Sequence, residues 1–396
     1  MNRLCVMKFG GTCLASGEDR KISLRHCTRQ LKKHDKLIVV VSAMGRKGDP
    51  YSTDTLLEMV SSPSKPEKAC LMATGEVISA TVMADMLRFE GVSARAVTGW
   101  NAGIRTDGRN CDSKLESIDR EVLQTALEEH DCIVVAGFQG MGSNGMVSTL
   151  GRGGSDITAI ALAAALDADE VLLYKKIESV FTADPDIVSG VISVERISYE
   201  DLSQLGWQGA EVVHPRASEI AGKAGVKINI MSHSTGKRVT EIEPFVIHSG
   251  KYITGVASGP DVTQYRIRKI DEATLHGFYS KAFRLVAEAS VSMDMFSVFG
   301  SIAMFTVLCE ESGTVSEVLS KNMIEFETVS PCSKVSIVGA GMHGIKGVMA
   351  RFSSALDQAG IDMLQTVDSH ATISALVMLD QRDCALRALH REFLEE

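Results

Sequence analysis

The sequence predicts an α/β protein, with a three-layer sheet domain followed by two small ferredoxin-like β-α-β units. Continuous apolar runs at 37–41, 132–136 and 171–174 alternate with helical stretches at 14–33, 67–90, 114–129 and 155–168. Unbroken apolar strands between helices indicate a sheet covered on both faces. This pattern persists to about residue 230, and 242–261 reads as a connection. The remainder repeats itself: the segment from Gly277 through Ala289 to Met295 matches that from Gly347 through Ala359 to Met363, with the glycine and alanine equally spaced. A second strand follows in each copy (302–308 and 372–379), so each has a β-α-β-β outline, suggesting a tandem regulatory module. The expected domains are 1–241 and 242–396.

At 396 residues the chain has room for two or three domains. A net charge of −9 argues against wholesale binding to nucleic acid or an anionic membrane. Nine cysteines without a C-x-x-C pair give no disulfide framework and no zinc spacing, which points to a reducing compartment. The first strand begins almost at once, with too few apolar residues for a signal peptide. No uninterrupted apolar stretch approaches the roughly 20 residues of a membrane span. A cytoplasmic enzyme is the expectation.

The most informative motif is Gly151-Arg152-Gly153-Gly154-Ser155-Asp156, running straight into an apolar helix. Free N–H groups at a helix start favour anions, and glycine lets a ligand approach the main chain. An arginine fixed beside a carboxylate there suits a small zwitterion or a phosphate. Lys8-Phe9-Gly10-Gly11-Thr12 lies at a strand-to-helix turn, where paired glycines can offer N–H groups to phosphate; an ordinary tight turn reads the same way. It is not a P-loop, whose G-x-x-x-x-G-K-[ST] pattern occurs nowhere in the chain. Gly339 to Gly344 is a formal G-x-G-x-x-G with Asp362 at the right interval, but it falls inside the repeat with too little chain after it for a dinucleotide fold, and it is read as a decoy. Glu76 sits in a helical pattern, and His214-Pro215-Arg216 reads as a helix start with proline at its first position.

Taken in order, these segments resemble the aspartokinases of the amino-acid kinase family. The matching residues are Lys8 to Thr12, Val40 to Gly45, Thr53-Asp54, Thr74 to Glu76, Ala136 to Gly140, Gly151 to Asp156, Thr182 to Pro185 and Gly209 to Arg216; the terminal repeats resemble paired ACT domains. The resemblance covers essentially the whole chain. It implies transfer of a phosphoryl group from MgATP to the side-chain carboxylate of L-aspartate. Lys8 would stabilise charge on the transferred group, with Gly10, Gly11 and Thr12 on the phosphates. Arg152 would hold the α-carboxylate of aspartate, Glu76 its ammonium, and Thr53 its orientation. Gly153 and Gly154 would line the aspartate pocket, while Ser155 and Asp156 organise the reacting centre. Such chemistry needs alignment and charge stabilisation rather than a strong base, because a carboxylate nucleophile is already ionised at neutral pH.

One segment departs from the family. Where the family usually reads Tyr-Thr-Asp-Val-Asp-Gly-Val-Tyr-Thr-Ala-Asp-Pro-Arg, this chain carries Lys175-Lys176 for the Thr-Asp pair, Phe181 for the second Tyr and Asp186 for the Arg, and Glu211 stands for a later Lys. All five positions belong to the nucleotide side of the family site. Either the lysines have taken over the phosphate contacts, with Lys176 and Glu211 as a sign-exchanged pair, or ATP affinity is lost and an amino-acid-binding regulatory subunit remains, or the changes point to solvent. In the repeats, Ser292 and Asp362 occupy the positions that would meet an amino-acid effector such as lysine, threonine or diaminopimelate, or simply cap a strand. The expectation is an allosteric aspartate kinase early in lysine, threonine and methionine synthesis, using ATP and Mg2+, without a protein-held metal, and dimeric or larger through its ACT domains. A glutamate kinase fits the motif order and the two repeats less well.

Overall fold

The computed structural model describes residues 3–177, 179–210, 212–244, 246, 252–268 and 277–395. The chain divides into two compact units, Met1–Val180 with Ser193–Ser203 and Val212–Ile247, and Phe181–Ile192 with Gln204–Glu211 and His248–Glu396.

In chain order the N-terminal part contains β1 (Leu4–Phe9), α1 (Gly17–Leu31), β2 (Lys36–Val41), α2 (Thr53–Leu57), α3 (Lys65–Phe89), β3 (Ala94–Val97), β4 (Ile104–Thr106), β5 (Leu115–Ile118) and α4 (Arg120–Glu129). It continues with β6 (Cys132–Ala136), β7 (Gln139–Gly142), β8 (Val147–Thr149), α5 (Gly154–Ala165), β9 (Glu170–Lys175), β10 (Arg196–Ser198), α6 (Tyr199–Trp207), α7 (Pro215–Ala224), β11 (Ile228–Ser232) and β12 (Arg238–Glu243). Eight strands form the main sheet in the order β10-β12-β11-β9-β1-β2-β6-β3, parallel apart from the β11–β12 pair. The order reverses at β1, which lies between β2 and β9, so a crevice opens at the carboxyl ends of these strands.

Alternation along the strands builds the layers. Cys5, Met7 and Phe9 of β1, with Leu172 and Tyr174 of β9, pack on Leu24 and Cys27 of α1 and on Met83 and Leu87 of α3. The intervening positions, Lys8 among them, therefore face the other side, where α5 packs on β1. Helix α1 starts at a capping box: Ser16 Oγ accepts from Asp19 N at 3.0 Å while Asp19 Oδ2 accepts from Ser16 N at 3.2 Å. Proline opens α7 as expected, and Gly225, in the left-handed region at φ 67°, ends it.

Two expectations need correction. The stretch 114–129 is not one helix: β5 takes its first residues and joins a separate small sheet, β5-β4-β7-β8, because tertiary pairing overrides local propensity. The stretch 242–261 is not merely a connection, since it holds the end of β12 and the start of a long strand. Helix α3 is 25 residues long and holds an 18-residue window of mean hydropathy 1.4, long and apolar enough to cross a membrane by length and composition, a test that a core helix also passes. Glu76 and Asp85 interrupt its apolar run, so the expectation of no unbroken stretch stands. Ala80, Met83, Ala84 and Leu87 of this helix belong to the core under the sheet.

The second unit contains β13 (Gly255–Arg268), α8 (Phe278–Glu288), β14 (Asp294–Phe299), β15 (Ile302–Leu308), α9 (Ser312–Lys321), β16 (Phe326–Val338), α10 (Val348–Gln358), β17 (Gln365–Asp368), β18 (Thr372–Met378) and α11 (Arg382–Phe393). They form one antiparallel sheet, β14-β15-β13-β16-β18-β17. The repeat is real: Gly277 and Gly347 precede α8 and α10 at φ 91° and 87°. The two copies are not beads on a string, however. The 14-residue β13 and the 13-residue β16 each run through both halves, with register shifts along their pairing where the halves meet. One core gathers Tyr265, Phe305, Val286 and Leu319, and the other Phe352, Leu356, Val377 and Leu389. Buried Gln264 donates from Nε2 to Gln365 Oε1 at 2.9 Å, tying the copies together. The Gly339–Gly344 segment leaves β16 in a short 3-10 turn (Ala340–Met342) within this antiparallel sheet, so it is no dinucleotide site.

Candidate active site

Lys8 lies one residue from the end of β1, and Lys175 ends the neighbouring β9. Asp156, in the first turn of α5, is buried between them: Lys8 Nζ approaches Oδ1 to 2.6 Å and Lys175 Nζ approaches Oδ2 to 3.0 Å. Burial would raise the Asp156 carboxyl, but Lys175 and Lys8 together overcome it and hold the group well below the usual carboxylate range. Lys175 is pushed down by burial and by Lys8, and Asp156 opposes that. Two cations on one carboxylate leave the cluster net positive at the mouth of the crevice.

A cavity of about 900 Å³ opens here, lined by Lys8, Gly10, Gly11, Thr53, Glu76, Arg152, Gly153, Gly154 and Ser155 among others. Glycine is required where it stands. Gly153 occupies the N-cap of α5 at φ 70°, and a Cβ there would lie 2.2 Å from that of His214. A Cβ on Gly11 would meet the carbonyls of Ala43 and Gly45 at 2.6 Å each. No side chain caps α5; Gly154 and Asp156 donate their N–H groups to the carbonyls of Gly151 and Gly153, which leaves that of Ser155 in the first turn for a ligand.

Glu76 stands on α3 and is 3% exposed. Its Oε1 accepts from Ala43 N at 3.0 Å, while Oε2 has no hydrogen-bond partner among the described residues. Burial raises this carboxyl to about 8, with the Ala43 N–H working against it. A buried carboxylate with one unused oxygen needs a cation beside it to ionise. Arg152 is exposed on the cavity wall and Thr53 opens α2.

The cavity thus gathers the expected aspartate side. Asp156 stands behind Lys8, and Thr12 sits in the 3-10 turn Gly11–Leu14 rather than on the cavity lining. The residues expected on the nucleotide side do not gather in this way. Lys175 joins the Asp156 cluster. Lys176 pairs with Asp19 at 2.7 Å, its side chain 44% exposed, instead of waiting for Glu211, which lies outside the described residues. Phe181 and Asp186 fall in the second unit, where exposed Asp186 donates its N–H to Asp184 Oδ1 in a turn. Sequence reasoning missed three further cations on the cavity wall, Arg46, Lys47 and Lys68. Arg46 and Lys47 directly follow the quoted motif ending at Gly45, and that adjacency was the available signal; Lys68 looks like any solvated helix lysine. In the second unit, Ser292 and Asp362 occupy equivalent exposed positions after α8 and α10, and Asp362 lines a shallow cavity of about 400 Å³ with Ser353, Ser354 and Asp357.

The chain resembles known proteins over its whole length. Residues 3–232 match the model of the Amino acid kinase family and residues 327–391 that of an ACT domain. The chain is 38% identical over 402 residues to Aspartokinase 1 of Bacillus subtilis, covering 99% of both. It belongs to the aspartokinases. Its architecture superposes on E. coli aspartokinase III in complex with aspartate and ADP (R-state), at a TM-score of 0.82 and 20% identity over all of both chains. The same enzyme in complex with lysine and aspartate (T-state) gives 0.76 at 20% identity, over 99% of this chain and 100% of that one. At that identity these two likenesses speak for the fold alone. As an aspartokinase the chain is a phosphotransferase with an ACT-containing allosteric region, and the Lys8–Asp156–Lys175 cluster occupies the crevice of its kinase domain.

Proposed function

We propose that this aspartokinase transfers the γ-phosphoryl group of MgATP to the side-chain carboxylate of L-aspartate, giving 4-phospho-L-aspartate. The observation that carries the reading is Glu76, buried with one unused oxygen, in the same cavity as Arg152 and Lys8. An α-ammonium against Glu76 Oε2 ionises the carboxyl, and Arg152 takes the α-carboxylate, with Thr53 helping to fix orientation. The side-chain carboxylate is then turned toward Lys8. Gly10 and Gly11 let phosphate approach the backbone, and Lys8 neutralises charge on the transferred group while Asp156 fixes its ammonium. Transfer of this kind rests on positioning and charge stabilisation.

Both oxygens of Asp156 are engaged by lysines, so the chain offers magnesium no free buried carboxylate there. Magnesium would enter as part of the MgATP substrate and would supply charge neutralisation on the phosphates. On the nucleotide side Lys175 supplies a second cation through the Asp156 cluster, and Arg46, Lys47 and Lys68 widen the positive wall. Phe181, Asp186 and Glu211 remain proposed nucleotide contacts by family position alone.

Functionally we divide the chain into a kinase domain at 1–241 and a tandem ACT region at 242–396, which binds an amino-acid effector near Ser292 or Asp362 and pairs two or more copies. Aspartyl hydroxamate formation by the purified chain with MgATP and aspartate tests the reading. Robust turnover that collapses in Lys8→Met is expected. Aspartate binding without ATP binding or turnover would overturn it in favour of an amino-acid-binding regulatory subunit.

A further inference from the structure

A second cluster of chemistry-bearing side chains lies at the opposite end of the central strands from Lys8 and Lys175. Cys5 near the start of β1, Glu170 at the start of β9 and His34 in the turn between α1 and β2 place their ligand atoms within 4.8 Å of one another. Cys5 and Glu170 are direct neighbours in the parallel register, so the backbone itself fixes their spacing. We propose that Cys5, His34 and Glu170 form a zinc-type divalent metal site, with solvent as the fourth ligand.

Three observations support it. His34 Nε2 stands 3.5 Å from Glu170 Oε1, long for a charge-assisted hydrogen bond but close to the edge of a zinc tetrahedron, about 3.3 Å for nitrogen and oxygen at their usual bond lengths. His34 Nδ1 and Asn229 Oδ1 are buried without a hydrogen-bond partner among the described residues. Glu170 is oriented from behind: Asn229 Nδ2 donates to its Oε2 at 2.9 Å, leaving Oε1 turned to the cluster, as outer partners of metal ligands commonly do. On binding, the thiol S–H bond breaks, its proton goes to solvent and the sulfur electron pair forms the metal–sulfur bond, so affinity rises with pH. The ion would join β1, β9 and the α1–β2 turn, stiffening the sheet at the end away from the reaction.

Titration of the chelator-stripped full chain with Co2+ under reducing, anaerobic conditions tests this. A near-ultraviolet thiolate-to-cobalt band saturating at one equivalent and displaced by Zn2+ is expected. Cys5→Ser should abolish it, and His34→Gln and Glu170→Gln should each weaken binding about tenfold or more. No band, or a band that survives Cys5→Ser because Cys70 or Cys384 supplies it, overturns the site. If Cys5→Ser does not fold by circular dichroism, the His34→Gln/Glu170→Gln double variant decides, and unchanged cobalt affinity there overturns it.

Discussion

At the scale of residues, the site sets a charged cluster against one strained acid. Lys8 and Asp156 satisfy each other at 2.6 Å, whereas Glu76 keeps an oxygen unused. Glu76 ionises near 4.5 in an ordinary setting and near 8 here. Between those values the folded chain retains a proton that the unfolded chain has lost, so this group makes stability fall as pH rises through that window. Glu76→Gln should therefore be more stable than its parent at pH 8, by on the order of a few kcal/mol at most, and no more stable near pH 4.5, as read by denaturant unfolding at the two values. The same variant should raise the KM for aspartate strongly. In the parent, that KM should climb as pH falls below about 8, because substrate must displace the Glu76 proton. A KM flat between pH 6 and 8 would sink the assignment of Glu76 to the ammonium. Lys175→Thr, which restores the family residue, leaves Asp156 to Lys8 alone. Kcat/KM for ATP should fall about tenfold to a hundredfold if Lys175 serves phosphate, and steady-state kinetics with saturating aspartate would measure it.

At the scale of elements, the glycine-led start of α5 decides whether Arg152, Ser155 and Asp156 arrive together. Gly153 is held at φ 70° with His214 against the position of its missing Cβ. Gly153→Ala therefore faces both backbone strain and a clash. A loss of about 1–3 kcal/mol, seen as a lower Tm, is expected. Turnover should fall further than stability alone explains, because a shift of α5 moves Asp156 off Lys8. The motif was legible in the sequence because glycines before an apolar helix have few other uses. The partner that enforces them was not, since His214 lies some sixty residues away.

At the scale of the second unit, shared strands make the two repeats one cooperative body. Neither copy can lose β13 or β16 without the other losing a central strand. Phe352→Ala, a cavity in the second copy, should cost about 3–5 kcal/mol. It should also lower hydrogen-exchange protection across α8 and β15 of the first copy. Protection lost only around α10 and α11 would show the copies to be independent. Gln264 and Gln365 add a polar tie under the sheet, and Gln264→Leu would strand the Gln365 oxygen at a cost of about 1–3 kcal/mol.

The sequence by itself determined the class of fold, the repeat and most of the residues of the proposed aspartate pocket. Apolar periodicity and the glycines at helix starts are local consequences of burial and backbone sterics. What lies opposite a side chain is another matter. Only the tertiary structure decided that Lys175, the last residue of β9, turns onto Asp156 while Lys176, just beyond the strand, turns onto Asp19. Likewise Cys5, His34 and Glu170 carry no metal-site spacing in the chain; parallel pairing of β1 with β9 sets Cys5 beside Glu170, and the turn before β2 brings His34 to them. Residues 165 positions apart meet there because a parallel sheet joins strands by register rather than by sequence order.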